Sequence, residues 1–339
     1  MFIRDWQAGR AEGLARRARR RPAAARLKPR SHLPRLHVLA AIAAVGVTTG
    51  VNAAQSPAVK PTGIDPSAPS GQPAEANADA PSSGTSSLSV QLNLDFTNAY
   101  FYRGIRQQDR GLLVQPAARL TTRLVDDDDF RLDGFLGTWN SFGPNSGTQT
   151  SDFIEDWYES DLYGGFTLTR GNLSLTTSYT FLTSPSDAFQ TVQELGFTLA
   201  LDDSEWLKQW ALKPYATLAL ETGSNGSDSP DLDNGVYLEI GIAPGCSFDI
   251  GESQVTLTFP ASVGLSLSNY YQDAGGNDDT FGFAQVGAKA SLPLGEPGRF
   301  GAWTLNAGVS ALFLGDHTKA FNKGEDTEVI GTLGLQCSF

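Results

Sequence analysis

From Leu88 onward the chain is a succession of segments in which apolar and polar residues alternate one for one. Side chains point to opposite faces along an extended strand, so each segment carries one greasy face and one polar face. In the first, Leu88, Val90, Leu92, Leu94 and Phe96 oppose Ser89, Gln91, Asn93 and Asp95. Further segments fall near 112–124, 130–140, 158–168, 173–181, 194–201, 212–221, 236–242, 255–267, 284–292, 303–313 and 327–339, the one at 130–140 alternating poorly. That is about twelve strands, an even number, as single-chain bacterial barrels require. Most are about 10–14 residues long, against ~5–6 for a soluble strand, and suit a tilted membrane crossing.

The connections alternate in character. Turns at 126–129, 170–171, 202–209, 249–253 and 295–298 are mostly tight, whereas 103–110, 142–153, 183–190, 223–234, 269–279 and 315–326 are longer and rich in Gly, Asn, Asp and Ser. Short turns at one end and long loops at the other are the asymmetry of outer-membrane barrels. Aromatic residues near segment ends, among them Tyr100, Tyr102, Trp139, Trp157, Tyr158, Trp210, Phe248, Tyr270, Tyr271 and Phe300, read as interfacial girdles. The 202–209 turn holds Trp206 and reads as a small interfacial element.

A soluble sandwich would also alternate, so the content of the polar face matters. In this register it collects Asp95, Arg119, Arg123, Arg131, Asp133, Glu159, Asp161, Glu194, Lys213, Glu239, Lys289 and Glu328. Charges of both signs on one face of a closed sheet would line or partly plug a water-filled lumen. The last segment ends on Phe339 and resembles the carboxy-terminal strand of bacterial outer-membrane barrels, in which a terminal Phe serves as the signal read by the barrel assembly machinery.

The amino-terminal part differs in kind. Residues 1–53 hold eleven of the 25 basic residues and two of the 37 acidic ones, with a dense block at Arg16–Arg21 followed by an apolar, Ala-rich run from His37 to Val51. Basic region, short apolar region and the small-residue site at Val51-Asn52-Ala53 read as a cleaved secretory signal with a long basic leader. Residues 54–86, rich in Pro, Ser, Ala and Gly, read as a disordered periplasmic linker, which leaves 87–339 for the barrel. Beyond the signal the chain has 14 basic and 35 acidic residues, net charge −21, a poor surface for nucleic acid. No apolar run after the leader approaches the ~20 residues of a spanning helix.

Little points to catalysis or to a cofactor. Of His32, His37 and His317, two lie in the leader and the third is a lone loop histidine. No base is therefore placed for a serine nucleophile. Asp231-Leu232-Asp233-Asn234-Gly235 is reminiscent of a calcium loop but lacks the spacing and closing Glu of an EF-hand, so no metal is assigned. Cys246 and Cys337 fall on the eighth and twelfth strands, both on the lipid-facing side. Four strand steps of ~4.8 Å separate them by roughly 15–20 Å, too far for a disulfide, which needs Cα atoms within about 7 Å.

One stretch carries a family resemblance. Tyr100-Phe101-Tyr102-Arg103-Gly104-Ile105-Arg106-Gln107, followed by Gln115-Pro116, resembles the first hairpin of the TorF family of porins, and Glu159, Asp161, Tyr163 and Gly164 resemble its mid-barrel acidic strand. The resemblance covers 87–339 and implies an outer-membrane channel without catalytic residues. Gly104 permits a tight turn, and Arg103 could fold into the lumen mouth to meet an acid such as Glu159. The expectation is a closed antiparallel transmembrane β-barrel in the bacterial outer membrane. It would pass small hydrophilic solutes with a mild cation preference, and its partners would be membrane lipid, those solutes and the assembly machinery. The competing readings are a non-conducting adhesive barrel and an outer-membrane hydrolase.

Overall fold

A computed structural model of the chain describes residues 88–144, 156–222, 234–251, 253–273 and 276–339. The expected signal 1–53, the linker 54–86 and residues 231–233 of the acidic loop lie outside the described residues. The strands are β1 (Leu88–Thr97), β2 (Tyr100–Tyr102), β3 (Ile105–Gln108), β4 (Leu113–Asp126), β5 (Arg131–Phe142), β6 (Trp157–Arg170), β7 (Leu173–Thr183) and β8 (Val192–Leu201). They continue as β9 (Tyr215–Thr222), β10 (Val236–Ile242), β11 (Gly245–Ile250), β12 (Ser253–Thr258), β13 (Ala261–Ser268), β14 (Phe281–Pro293), β15 (Ala302–Leu314) and β16 (Thr327–Ser338).

All of these except β2 and β3 form one antiparallel sheet, and β1 pairs with β16 to close it. The seam runs from Thr97↔Thr332 to Gln91↔Ser338, and Val90 and Phe339 exchange backbone hydrogen bonds of 2.9 and 3.2 Å beyond it. Two wall strands are each broken once, between β10 and β11 at Pro244 and between β12 and β13 at Pro260. Proline has no N–H to give to the ladder. Its carbonyl still serves: Phe259 donates to Pro244 and Gly287 to Pro260, each at 2.8 Å. With each broken pair taken as a single wall strand, the ring has twelve.

The outer face settles what surrounds this ring. Leu136, Leu162, Phe166, Ile240, Val309, Val329 and Leu333 are each 51–58% exposed, on strands spread around the wall. A water-soluble surface rarely shows a contiguous apolar band of that kind. Inside, Asp95, Gln115, Asp133, Glu159, Asp161, Glu194, Glu239, Gln285, Lys289, Asn306 and Gln336 are buried. Greasy outside and polar inside is the inverse of a sandwich, and the chain is a transmembrane β-barrel. The folded barrel is therefore expected to run at a different apparent size from the boiled chain on a detergent gel. Identical migration would show that no closed barrel forms.

The wall departs from the sequence reading in three places. The 130–140 segment alternates poorly because Phe135 and Trp139 point inward, opposite the outward Gly134, Thr138 and Asn140. The seventh wall strand starts at Tyr215 instead of 212, so Lys213 is not a wall residue. The Asp203 carboxylate accepts the N–H groups of Leu212 and Lys213 at 3.0 and 2.9 Å and pulls the chain off the ladder. The connector so made holds the short helix α1 (Ser204–Leu207) and presents Trp206 and Trp210 outward.

The third departure concerns Cys337 alone, since the absence of a Cys246–Cys337 disulfide is as expected. Both are free, and Cys246 is exposed, but Cys337 is buried beside the 298–301 turn, with its Sγ 3.4 Å from the Phe300 carbonyl. Alkylating the unfolded, unreduced protein should label two thiols. A Cys246–Cys337 bond would contradict the strand order.

Candidate functional site

The chain between β1 and β4 does not arch away from the barrel. It makes the hairpin β2–β3, which turns into the lumen. The turn between the strands is Arg103-Gly104, with φ +50° and +80°. Positive φ at both central residues belongs to the tight turn whose twist matches a two-stranded ribbon. Gly104 has a second reason to be glycine, since a Cβ there would meet the Phe283 ring at 2.9 Å.

The hairpin's partners show where it sits. Tyr100 Oη donates to Glu159 Oε1 of β6 at 3.2 Å, and Tyr102 Oη to Glu194 Oε2 of β8 at 3.4 Å. Arg103 Nη2 donates to Glu194 Oε1 at 2.5 Å and Nη1 to Tyr270 Oη at 2.9 Å. The Arg103 guanidinium also lies 4.2 Å over the Tyr237 ring of β10 and 4.8 Å over Tyr102. On the other side of the ring, Asn322 accepts the Arg106 N–H and donates to the Gly104 carbonyl, both at 2.9 Å. Arg106 Nη1 is 3.2 Å from Glu328 of β16. Only a segment inside the ring can touch β6, β8, β10 and β16 together. Tyr100, Phe101 and Arg103 are accordingly 1–2% exposed.

The loops close over it. Tyr271 Oη donates to the Arg103 carbonyl at 2.9 Å. The short helix α2 (Asp316–Phe321) brings up Thr318 and Asn322, both fully buried. Burial raises the phenols of Tyr100, Tyr102, Tyr270 and Tyr271 well above their ordinary range, so they remain neutral donors. For Arg103 burial is the largest influence and works against the charge. Glu194, Tyr102 and Tyr270 more than offset it, and the guanidinium is held above its ordinary range.

The lumenal charges segregate by depth. Asp95, Glu159, Asp161, Glu194, Glu239 and Glu328 lie on the halves of their strands nearer the long loops. Arg123, Arg131 and Lys289 lie toward the short turns and Arg119 near mid-strand, with Asp133 among them, ion-paired with Arg131 at 2.8 Å and Arg123 at 3.4 Å. Arg119 stacks 4.1 Å over Phe135, and Glu239 accepts from Tyr215 and Tyr237 at 2.7 and 2.6 Å. The predicted set thus shares one lumen apart from Lys213, and Arg103 reaches it from the hairpin rather than the wall. The acid that meets Arg103 is Glu194, while Glu159 is bonded by Tyr100.

No protein-family model matches the chain, and no curated protein matches it in sequence. Solved structures similar to it include the beta domain of the Bordetella autotransporter BrkA, at 12% identity and TM-score 0.37, covering 74% of this chain and 98% of that one. The NanC porin is similar at 9% identity and TM-score 0.36, covering 73% and 98%. Outer membrane phospholipase A from Escherichia coli is similar at 13% identity and TM-score 0.35, covering 74% and 92%.

The residues that sequence reasoning missed are those of the plug. Tyr100, Tyr102, Trp139, Tyr270 and Tyr271 read as girdle aromatics, yet they pack the inner mouth, with Tyr100 and Trp139 ring centroids 4.9 Å apart. A signal existed in the Arg103-Gly104 pair between two short alternating pieces. Nothing local marks Asn322. The one histidine among the described residues, His317, bonds the Tyr271 carbonyl through Nδ1 at 2.7 Å.

Proposed function

We propose that the chain is a channel of the bacterial outer membrane that passes small hydrophilic solutes when the β2–β3 hairpin leaves the mouth. The supporting observation is the contrast between wall and plug. The wall is a continuous backbone ladder, whereas much of what holds the plug is side-chain polar contact that water can replace: Arg103–Glu194, Tyr100–Glu159, Arg106–Glu328 and Asn322. The Tyr100–Gln107 run and Gln115 support placing the chain with TorF-like porins. No catalytic role is proposed, and assembly would go through recognition of β16 by the barrel assembly machinery. Acidic residues at the outer half and basic ones at the inner half support a mild cation preference in the open pore. Reversal potentials in a salt gradient check this, and clear anion selectivity would contradict it.

A second reading is a non-conducting structural barrel. It is favoured by the apolar part of the hairpin, since Phe101 joins a buried cluster with Tyr237, Tyr271, Phe283 and Leu312. Proteoliposome swelling with sugars of graded size separates the two. Swelling should be slow with the full chain and many-fold faster when residues 100–108 are replaced by a short Gly-Ser turn, with a size cut-off. A hairpin-less barrel that folds, by gel shift, yet admits no sugar would favour the structural reading.

A further inference from the structure

Arg103 fills a site that the wall and loops have already built. Its guanidinium meets both oxygens of Glu194: Nη2 donates to Oε1 and Nη1 lies against Oε2, each at 2.5 Å. Nη1 also donates to the Tyr270 hydroxyl at 2.9 Å. The Tyr237 ring lies 4.2 Å from the guanidinium carbon, and the rings of Tyr102 and Tyr270 stand at 4.8 and 5.2 Å. A carboxylate that takes two N–H groups at once, beside an aromatic face, is the geometry that selects a guanidinium.

Most of this site does not belong to the hairpin. Glu194 stands on β8, which is laddered to β7 and β9. Tyr237 stands on β10, and its hydroxyl donates to Glu239 of the same strand at 2.6 Å. Tyr270 packs on Tyr237 and Tyr271 at centroid distances of 5.0 and 5.1 Å, and its N–H donates to Ser266 Oγ at 3.0 Å. Of the three rings around the guanidinium, Tyr102 alone is part of the hairpin. Withdrawing the hairpin would uncover a carboxylate, a phenol oxygen and two rings already in place. The acidic outer half of the lumen around them concentrates cations. The backbone at Arg103 points the same way. Its φ of +50° is uncommon for a residue with a side chain, and Gly, Asn or Asp is the usual choice at this place in a tight turn. An arginine there serves the reach of its side chain and not the turn.

We propose that this pocket is a binding site for solutes that carry a guanidinium group, that Arg103 is its built-in occupant, and that solute and hairpin tip exclude each other. Such a solute takes the contacts to Glu194 and Tyr270, holds the hairpin out and so favours its own passage. A primary ammonium cannot bond both Glu194 oxygens and Tyr270 while lying flat on Tyr237. A neutral group of the same shape leaves Glu194 without a cation. The inference deepens the channel reading by naming a class of solute, and it rests on that reading for the passage but not for the binding.

The test uses the full-length protein in lipid nanodiscs at fixed ionic strength. The probes are arginine, lysine and citrulline, whose ureido group has the shape of a guanidinium without the charge. Arg103→Ala vacates the site whether its hairpin stays or leaves. Calorimetric titration should show this variant binding arginine at least about tenfold more tightly than lysine or citrulline. Adding Glu194→Gln should weaken arginine binding about tenfold or more. In the wild type, arginine at about ten times the dissociation constant of Arg103→Ala should speed hydrogen exchange of residues 100–108 about tenfold, and citrulline should not. Equal binding of arginine and citrulline by Arg103→Ala, unchanged affinity after Glu194→Gln, or wild-type hairpin exchange indifferent to arginine would each overturn the proposal. Should Arg103→Ala lack the gel shift of a closed barrel, the wild-type exchange comparison decides alone. Arginine binding in a barrel that never conducts would leave the site standing and refute the channel. Conduction without arginine binding by Arg103→Ala would refute the site and leave the channel.

Discussion

Arg103→Ala is expected to free the hairpin and raise the conductance of the barrel at least tenfold. The substitution removes both the 2.5 Å ion pair to Glu194 and the bond to Tyr270, and it takes a cation off the rings of Tyr102 and Tyr237. Glu194 is left buried without its cation. Truncating one partner of a buried pair typically costs about 3–5 kcal/mol, most of it the penalty on the charge left behind. The wall does not depend on this pair, since β8 keeps its ladders to β7 and β9. The loss therefore falls on docking rather than on the barrel, and the gel shift should survive. Arg103→Ala combined with Glu194→Ala should restore part of the docking, because no orphaned charge remains; strict additivity of the two losses would deny the coupling. Arg103→Lys should also loosen the hairpin, since an ammonium cannot bond Glu194 and Tyr270 while lying flat on an aromatic ring.

A second large effect is expected on the outer wall. Leu162 is 52% exposed, faces outward near the middle of β6 and pairs with Thr138 and Phe181. Leu162→Arg would put a cation into the hydrocarbon layer, at about 2–4 kcal/mol for a site near the midplane. Gln91→Lys, on the lumenal face of β1, should cost far less because that face is polar and wet. Urea titration of both variants refolded into vesicles checks the pair. Equal destabilisation would mean that the faces are misassigned or that the chain does not reside in lipid.

The wall was legible in the sequence because alternation is a local property. Leu88–Phe96, Leu173–Phe181 and Val236–Ile242 declare their faces residue by residue, and the exposed large apolar residues there, Leu88, Leu92, Leu94, Leu173, Leu175, Phe181 and Ile240, are all outward ones. The 130–140 segment was obscure for a physical reason: its inward face is aromatic because the plug needs something to pack on. Lys213 was misplaced because alternation cannot sense that Asp203 captures the backbone two residues before the true strand start. The plug itself was only partly legible. Arg103-Gly104 announced a turn into the mouth, but the choice of Glu194 over Glu159 depends on how far the hairpin crosses the lumen, and no spacing encodes that. Asn322 lies 216 residues from Arg106, whose N–H it accepts. Sequence pattern fixes a wall strand's neighbours and leaves a plug's contacts open.

The central claim is that the inward hairpin is what closes an otherwise polar pore. Single-channel recording in planar bilayers, comparing the full chain with one in which residues 100–108 are replaced by a short Gly-Ser turn, tests it most directly. The account predicts a mostly silent full chain with rare openings and a steadily conducting variant, both with the gel shift of a closed barrel. Equal, steady conductance from the two would contradict it, because the mouth would then be open with the hairpin in place.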